Sequence, residues 1–484
     1  MTTSVKVLDY TKNGKDSIDV LNPATNEIIG KVAMATKEDA KKALKSAKSV
    51  QKSWVATPIW KRGEILNHFA DLVDENRYEL AELLAKESGK PIAQAEGEVT
   101  GVSRIFRGFV EKAKHVYGKN IPLDHQEGLE NDVYITRREP LGVIVGIIPF
   151  NYPSDIFSHK VAPALITGNS IIVKPPRDTP LIILRLEELF YEAGLPENVL
   201  QVVNGSGSTV GQQLVSSPLI NGVSVTGGTD TGIDVASSAI KQLSRVALEL
   251  GGNDPFIVFE DADVEEAVEQ AIAGRIGMNG QTCIANKRLI VHQSKVEEFT
   301  KLLVDKVKDL KCGDPLDRSV DIGPLINKGA LESVHKQVEH TIRQGAKLVV
   351  GGEIYNEAWY PATVLTDVKP EFDIAQDMEV FGPVFPIITF DTDEEAVSIA
   401  NNSCYGLNGA LFTKDVNRAL NIGYQIESGI VSVNGAGAYR PDVSYFGGFK
   451  MSGYTGNEGL IGALEGMTQV KSVALRNSLN IYNS

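Results

Sequence analysis

From Leu141 onward the chain alternates short apolar runs with helical patterns, and no other feature of the sequence restricts the fold as much. Apolar runs stand at 143–148, 171–173, 199–203 and 223–225, and helical patterns such as 181–193, closed by Gly194 and Pro196, fill the gaps. Strands apolar on both faces need cover on both faces, so this stretch reads as a parallel sheet between layers of helix. The rhythm returns with strands at 255–259 and 288–292 and helices at 264–277 and 296–310. No flexible linker, low-complexity run or fixed-period repeat separates the two blocks. The expectation is two α/β domains packed across a cleft.

The first 117 residues read as helical after a short strand region. Thr36 precedes Asp39 at capping-box spacing, Ala40, Leu44 and Ala47 follow at helical intervals, and further helices are expected at 62–76, 80–87 and 99–117, with Gly118 as the stop. The polar stretch 118–139 contains Val133-Tyr134-Ile135-Thr136, which suits an arm or hairpin.

Length and charge narrow the function. At 484 residues the chain is long enough for roughly three domains of about 150 residues. A net charge of −14 with no basic block opposes binding to nucleic acid or an anionic membrane surface. Residues 1–17 lack a signal-type apolar core, and the apolar stretch 141–150 is about half of the roughly 20 residues a membrane helix needs. Three scattered cysteines, Cys283, Cys312 and Cys404, fit a reducing compartment, so a cytoplasmic protein is expected. No metal is expected.

Four places carry candidate chemistry. Cys283 follows Asn279-Gly280-Gln281-Thr282, a polar, tight-turning setting for a thiol; taken alone it is either an inert buried cysteine or a nucleophile. Glu249 interrupts an apolar run before Gly251-Gly252; it is either a solvent-facing strand carboxylate or a buried one raised toward general-base range. The loops Asn204-Gly205-Ser206-Gly207-Ser208 and Thr226-Gly227-Gly228-Thr229 each join a strand to a helix, serving as ordinary turns or as a diphosphate seat; neither is a G-x-G-x-x-G match. Asn151 follows the 143–148 strand at a sheet's carboxyl edge, as a turn residue beside Pro153 or as a ligand contact.

Together these segments resemble the aldehyde dehydrogenase superfamily, of the non-acylating NAD(P)-dependent type, over nearly the whole chain. Leu248-Glu249-Leu250-Gly251-Gly252 resembles its glutamate signature, Gly280-Gln281-Thr282-Cys283 its cysteine signature, and Met378-Glu379-Val380-Phe381-Gly382-Pro383-Val384 a later glutamate motif. Gly323-Pro324-Leu325-Ile326 and Phe446-Gly447-Gly448-Phe449 add to the likeness. The resemblance implies a Rossmann-like cofactor domain (1–117 and 139–247), a catalytic α/β domain (248–440), and a small β oligomerisation arm and tail (118–138 and 463–484), assembled as a homodimer or homotetramer.

It also implies roles. Cys283 would attack the aldehyde, Asn151 would stabilise the oxyanion, and Glu249 would activate the water that hydrolyses the thioester. Lys174, Thr226, Gly227, Gly228 and Thr229 would line the dinucleotide, and Glu379 and Phe381 would meet the nicotinamide ribose and ring. Relatives that prefer NAD often carry a glutamate where this chain has Arg177, so NADP is expected ahead of NAD.

Two rival readings compete with this one. A CoA-acylating enzyme would generally lack Glu249, and a non-catalytic protein of the same fold would not need Cys283, Glu249 and Asn151 intact. The small-molecule aldehyde itself is open. Thr282 stands where phosphate-specific relatives have arginine, and His159 stands where succinate-semialdehyde enzymes often do, while Arg104, Arg107 and Arg440 are alternative anion contacts.

Overall fold

The computed structural model describes residues 7–11, 16–456 and 458–479. Of the expected tail, 480–484 lies outside the described residues. Among the described residues, no helix is long and apolar enough to cross a membrane.

The first α/β unit is built on β1 (Val143–Ile147), β2 (Ser170–Lys174), β3 (Leu200–Val202), β4 (Gly222–Thr226) and β5 (Arg245–Glu249). Its order is β5-β4-β1-β2-β3, all parallel, with the short strand Gly453–Tyr454 added antiparallel outside β5. The direction of winding therefore reverses between β1 and β4, the crevice where open α/β sheets bind ligands. Helix α1 (Pro153–Thr167) follows β1, and α2 (Thr229–Ala239) follows β4.

Strand alternation explains the two cores. Ile144, Ile171 and Val173 pack with α1 and the helices Ile59–Glu75 and Ile92–Ala113, whereas Val143, Val145, Ile172 and Val225 face helix Lys37–Ala56 and α2. The capping box forms as the spacing requires: Thr36 Oγ1 accepts from Asp39 N, and Asp39 Oδ2 accepts from Thr36 N.

One helix differs from expectation. It starts earlier, at Ile92 behind Pro91, and it ends at Ala113, so Gly118 is not its stop. Gly118 instead lies against strand Val133–Pro140, where a Cβ would sit 1.7 Å from the Thr136 carbonyl oxygen. That strand pairs with Thr468–Leu475 and Asn120–Ile121 in a three-stranded antiparallel sheet. Leu464 and Met467, just before the last strand, are buried in the helical core beside α1.

The second unit has a seven-stranded sheet. Its parallel strands are β6 (Pro255–Val258), β7 (Arg288–His292), β8 (Thr363–Val368), β9 (Val384–Phe390), β10 (Asn408–Phe412) and β11 (Ile430–Val433), ordered β8-β9-β7-β6-β10-β11, with Lys347–Val350 antiparallel at the β8 edge. Ile257 and Ile290 face one core while Phe256, Val258, Leu289 and Val291 face the other.

The chain crosses from the end of β5 at Glu249 to the start of β6 at Pro255 through Leu250–Asp254. The carboxyl edge of the first sheet thereby meets the amino edge of the second. Because β6, β7, β9 and β10 are parallel, the loops preceding all four gather at that junction.

Candidate active site

The cysteine loop is fixed by its own signature. Met278, Asn279 and Gly280 all have left-handed backbone, with φ of 49°, 60° and 80°. Asn279 is held there by its side chain, which donates to the carbonyls of Gly89 (3.0 Å) and Pro324 (2.8 Å) and accepts from Gly323 N (2.7 Å). At Gly280 a Cβ would fall 2.2 Å from the Gly382 carbonyl carbon, so no larger residue fits. Gln281 Oε1 accepts from Ile326 N at 3.1 Å. The separate Gly-Pro-Leu-Ile block is thus the cradle of the cysteine turn.

Cys283 opens onto a tunnel of about 490 Å³ lined by Asn151, Tyr152, His159, Thr282 and Arg440. Asn151 Nδ2 donates to the Gln281 carbonyl at 2.9 Å, which ties the carboxyl edge of β1 to the cysteine loop. An amide has two N–H donors, so one remains for a ligand. Burial pushes the Cys283 thiol up to about 12, against an opposing pull from Lys287. At neutral pH the thiol is therefore protonated.

Glu249 ends β5, paired with Thr226 on one side and Gly453 on the other. It is 5% exposed, which excludes the solvent-facing strand position, and its Oε2 has no hydrogen-bond partner among the described residues. It lines a second cavity of about 680 Å³ with Glu458 and His159 rather than the tunnel. Burial, and then the nearby Glu458 charge, raise its pKa well above the ordinary carboxylate value.

Glu458 has the opposite fate. Burial disfavours its charge, but Lys160 at 3.0 Å and Arg440 at 2.7 Å hold its pKa down to about 2. Lys160 also donates to Ser224 Oγ at 2.9 Å. Arg440 lines the tunnel and bonds Glu458, which lines the cavity, so this ion pair links the two spaces. A carboxyl poised to take a proton beside one that stays ionised is an acid–base arrangement.

Glu379 and Phe381 stand just before β9. The Glu379 carboxylate accepts from Lys287 Nζ at 2.7 Å and from Gly252 N at 3.1 Å, and the Phe381 ring lies 6.2 Å from that of Phe150. Across the junction, Gly227 and Gly228 face open space, since a Cβ on either meets nothing within 4 Å. Gly228 caps α2 without a side-chain bond, so the first-turn N–H groups of an 11-residue helix point at room for an anion. Lys174 ends β2, with Nζ donating to the Pro175 carbonyl at 3.1 Å. These residues fit a dinucleotide diphosphate at the reversal point of the sheet. Arg177 is set apart from them: it is exposed and lines a cavity of about 860 Å³ with Asp178 and Asn327.

Sequence reasoning missed Lys160, Lys287 and Glu458. Lys160 carried a signal, a lysine in the middle of the apolar helix α1; Glu458, in a glycine-rich loop, carried none.

The fold and this junction are those of an α/β protein with a ligand crevice at the reversal point of its first sheet. The sequence profile of the aldehyde dehydrogenase family matches residues 10–473. The chain is 35% identical to the NADP-dependent succinate-semialdehyde dehydrogenase of Escherichia coli, over 96% of this chain and 95% of that one. It is 37% identical to the 3-sulfolactaldehyde dehydrogenase of Priestia megaterium, over 98% and 99%. A solved Escherichia coli NADP-dependent enzyme superposes with a TM-score of 0.93 at 34% identity, covering 97% of both chains. The chain belongs to the aldehyde dehydrogenase family. It is an oxidoreductase that converts an aldehyde to the carboxylic acid with NADP or NAD as electron acceptor, and the CoA-acylating alternative is not favoured.

Proposed function

We propose that Cys283 is the nucleophile, Asn151 and the Cys283 backbone N–H the oxyanion donors, and Glu249 the hydrolytic base, acting on a short aldehyde whose far end is anionic. The cysteine sulfur bonds to the carbonyl carbon as its proton passes to solvent water, the C=O π bond opens, and negative charge gathers on oxygen. The free Asn151 amide N–H meets that charge, a contact worth roughly 3–4 kcal/mol. Gly227, Gly228 and Thr229, beside Thr226 and Lys174, would hold the diphosphate of NADP or NAD, which when bound would accept the hydride that leaves the carbonyl carbon as its C–H bond breaks and the adduct becomes a thioester. Glu379 and Phe381 orient the cofactor's nicotinamide end.

Glu249 then turns from its cavity toward the thioester, giving up no hydrogen bond at Oε2. It takes a proton from water as oxygen attacks the acyl carbon, the C–S bond breaks, and the acid leaves. The Lys160–Glu458 pair fixes the charge against which Glu249 titrates.

The anionic end is supported by Arg440 and Arg104, which stand on the wall of the tunnel that receives the aldehyde together with Glu98, Asp155 and Asp442. Arg104 reaches Asp442 at 2.5 Å and Arg440 reaches Asp155 at 3.6 Å, so acids hold both guanidinium groups in place. Succinate semialdehyde and 3-sulfolactaldehyde, the substrates in two relatives' names, both end in an anion. The test compares aldehydes of equal length with carboxylate, hydroxyl and methyl ends. The carboxylate should give the highest kcat/KM, and a faster methyl compound would defeat the reading.

Assembly with further copies fits the arm, whose Ile135, Val470, Val473 and Leu475 lie exposed. Three free cysteines suit the reducing cytoplasm.

A further inference from the structure

Lys287 stands at the junction of the two sheets, one residue before β7, and is 1% exposed. An ammonium has three N–H donors, and here each has an acceptor: the Gly252 carbonyl at 2.5 Å, the Cys283 carbonyl at 2.5 Å and Glu379 Oε1 at 2.7 Å. The acceptors belong to three separate segments: the crossover from β5 to β6, the cysteine loop, and the strand-entry segment of β9. Nothing in the family-like motifs assigns this residue a role.

We propose that Lys287 is the positioning residue of the nucleophile, holding the Cys283 backbone and Glu379 on one buried cation and setting the charge that the Cys283 sulfur experiences. A lysine kept only for packing would not need to spend all its donors on the three segments that meet the reacting groups. Removing water from a buried ammonium is costly, and full hydrogen bonding offsets that cost. The charges that reach the sulfur are those of Lys287 from its own loop, Glu379 and Asp254 from the segments before β9 and β6, and Arg440 from the loop after β11; Glu98, Tyr152, Asp155 and His159 line the same tunnel. Burial is the largest influence on the thiol, and Lys287 is the strongest of those that oppose it. Glu379 acts in the reverse sense. Cation and carboxylate therefore tune one thiol in opposite directions while bonded to each other. The further link, from Lys287 through Glu379 to the cofactor, rests on the proposed ribose contact; the link to the sulfur does not.

The test uses the full-length enzyme without cofactor, carrying Cys312→Ser and Cys404→Ser so that iodoacetamide reports on Cys283 alone. Alkylation rates are compared at fixed pH values of about 8, 9 and 10, below the thiol's titration, where the rate follows the thiolate fraction. Lys287→Met should slow alkylation at least tenfold at each pH. Lys287→Gln, which keeps donors for the carbonyls, should do the same if the methionine variant fails to fold. Glu379→Gln should speed alkylation. An unchanged rate in the neutral Lys287 variants, or lysine and glutamate variants changing the rate in the same direction as a loosened loop would, overturns the proposal. Calorimetric titration of Glu379→Gln with NADP separates the two readings: unchanged affinity removes the ribose contact and leaves the alkylation result to decide on Lys287.

Discussion

The Lys160 ammonium lies 3.0 Å from the Glu458 carboxylate, and neither side chain is more than 8% exposed. The pair keeps Glu458 ionised, and burial first, then that fixed charge, raise the Glu249 carboxyl above its ordinary titration range. A general base works only when ionised, so thioester hydrolysis should rise with pH through the raised Glu249 titration. Replacing Glu458 by Gln removes the repelling charge and leaves Lys160 and Arg440 as attractants. Both changes stabilise the Glu249 carboxylate, so the rising limb should move to lower pH. Single-turnover decay of the acyl-enzyme between pH 5 and 9 measures this; a limb that stays in place or moves up would contradict the coupling.

Cys283→Ala should reduce turnover by roughly four orders of magnitude or more, as loss of a nucleophile does elsewhere. Cys312→Ala and Cys404→Ala should keep most of it. Cys312 sits in an isolated bridge with Ile322, and Cys404 contributes a backbone N–H to Asp377 at 2.7 Å. Steady-state rates of the three variants decide the matter, and normal turnover in Cys283→Ala would remove the proposed mechanism.

Glu249→Gln should still form the acyl-enzyme and then hydrolyse it slowly. Rapid mixing would show a burst of reduced cofactor near one per active site, followed by a steady state on the order of 10²-fold slower, the low end for a general base. Intact mass would show the acyl group on the protein. A lost burst would instead place Glu249 in thiol activation.

How far the sequence reveals this site depends on how local each signal is. Strand Arg288–His292 is legible to the residue, because a short apolar run, Leu289-Ile290-Val291, bounded by polar residues decides it locally. Gly118 misleads, because it is required by contact with Thr136 from another strand, and helix periodicity carries no information about that contact. The reversal of winding between β1 and β4 is likewise invisible, since strands read along the chain do not declare their neighbours. Lys160 and Glu458 are 298 positions apart, so no local pattern joins them. Lys287 is only four positions from Cys283, yet its meaning comes from Gly252 and Glu379, which the fold brings to it.

The remaining prediction is that the enzyme uses NADP at least as well as NAD, and it rests on Arg177. An acidic residue at this position would accept hydrogen bonds from the adenosine ribose and repel a 2′-phosphate; here the repelling group is absent. Asp178 is the nearest acid that could take over that role, but its Oδ1 accepts from Asn327 Nδ2 at 3.4 Å, turned away toward the second domain. Among the described residues Arg177 has no hydrogen-bond or ion-pair partner, so it can swing from the cavity it lines to a bound phosphate without breaking an existing contact. The gain is a charge-assisted, bidentate bond that a lysine could not reproduce in the same geometry. Exposure limits its strength, because water and salt screen a surface pair. The expected result is a kcat/KM for NADP equal to or above that for NAD in the wild type. Arg177→Glu should swing the ratio toward NAD at least tenfold, about 1.4 kcal/mol. A wild type that favours NAD more than tenfold would defeat the prediction. An unchanged ratio in the variant would show that other groups read the phosphate, with Lys174 at the end of β2 the first to replace.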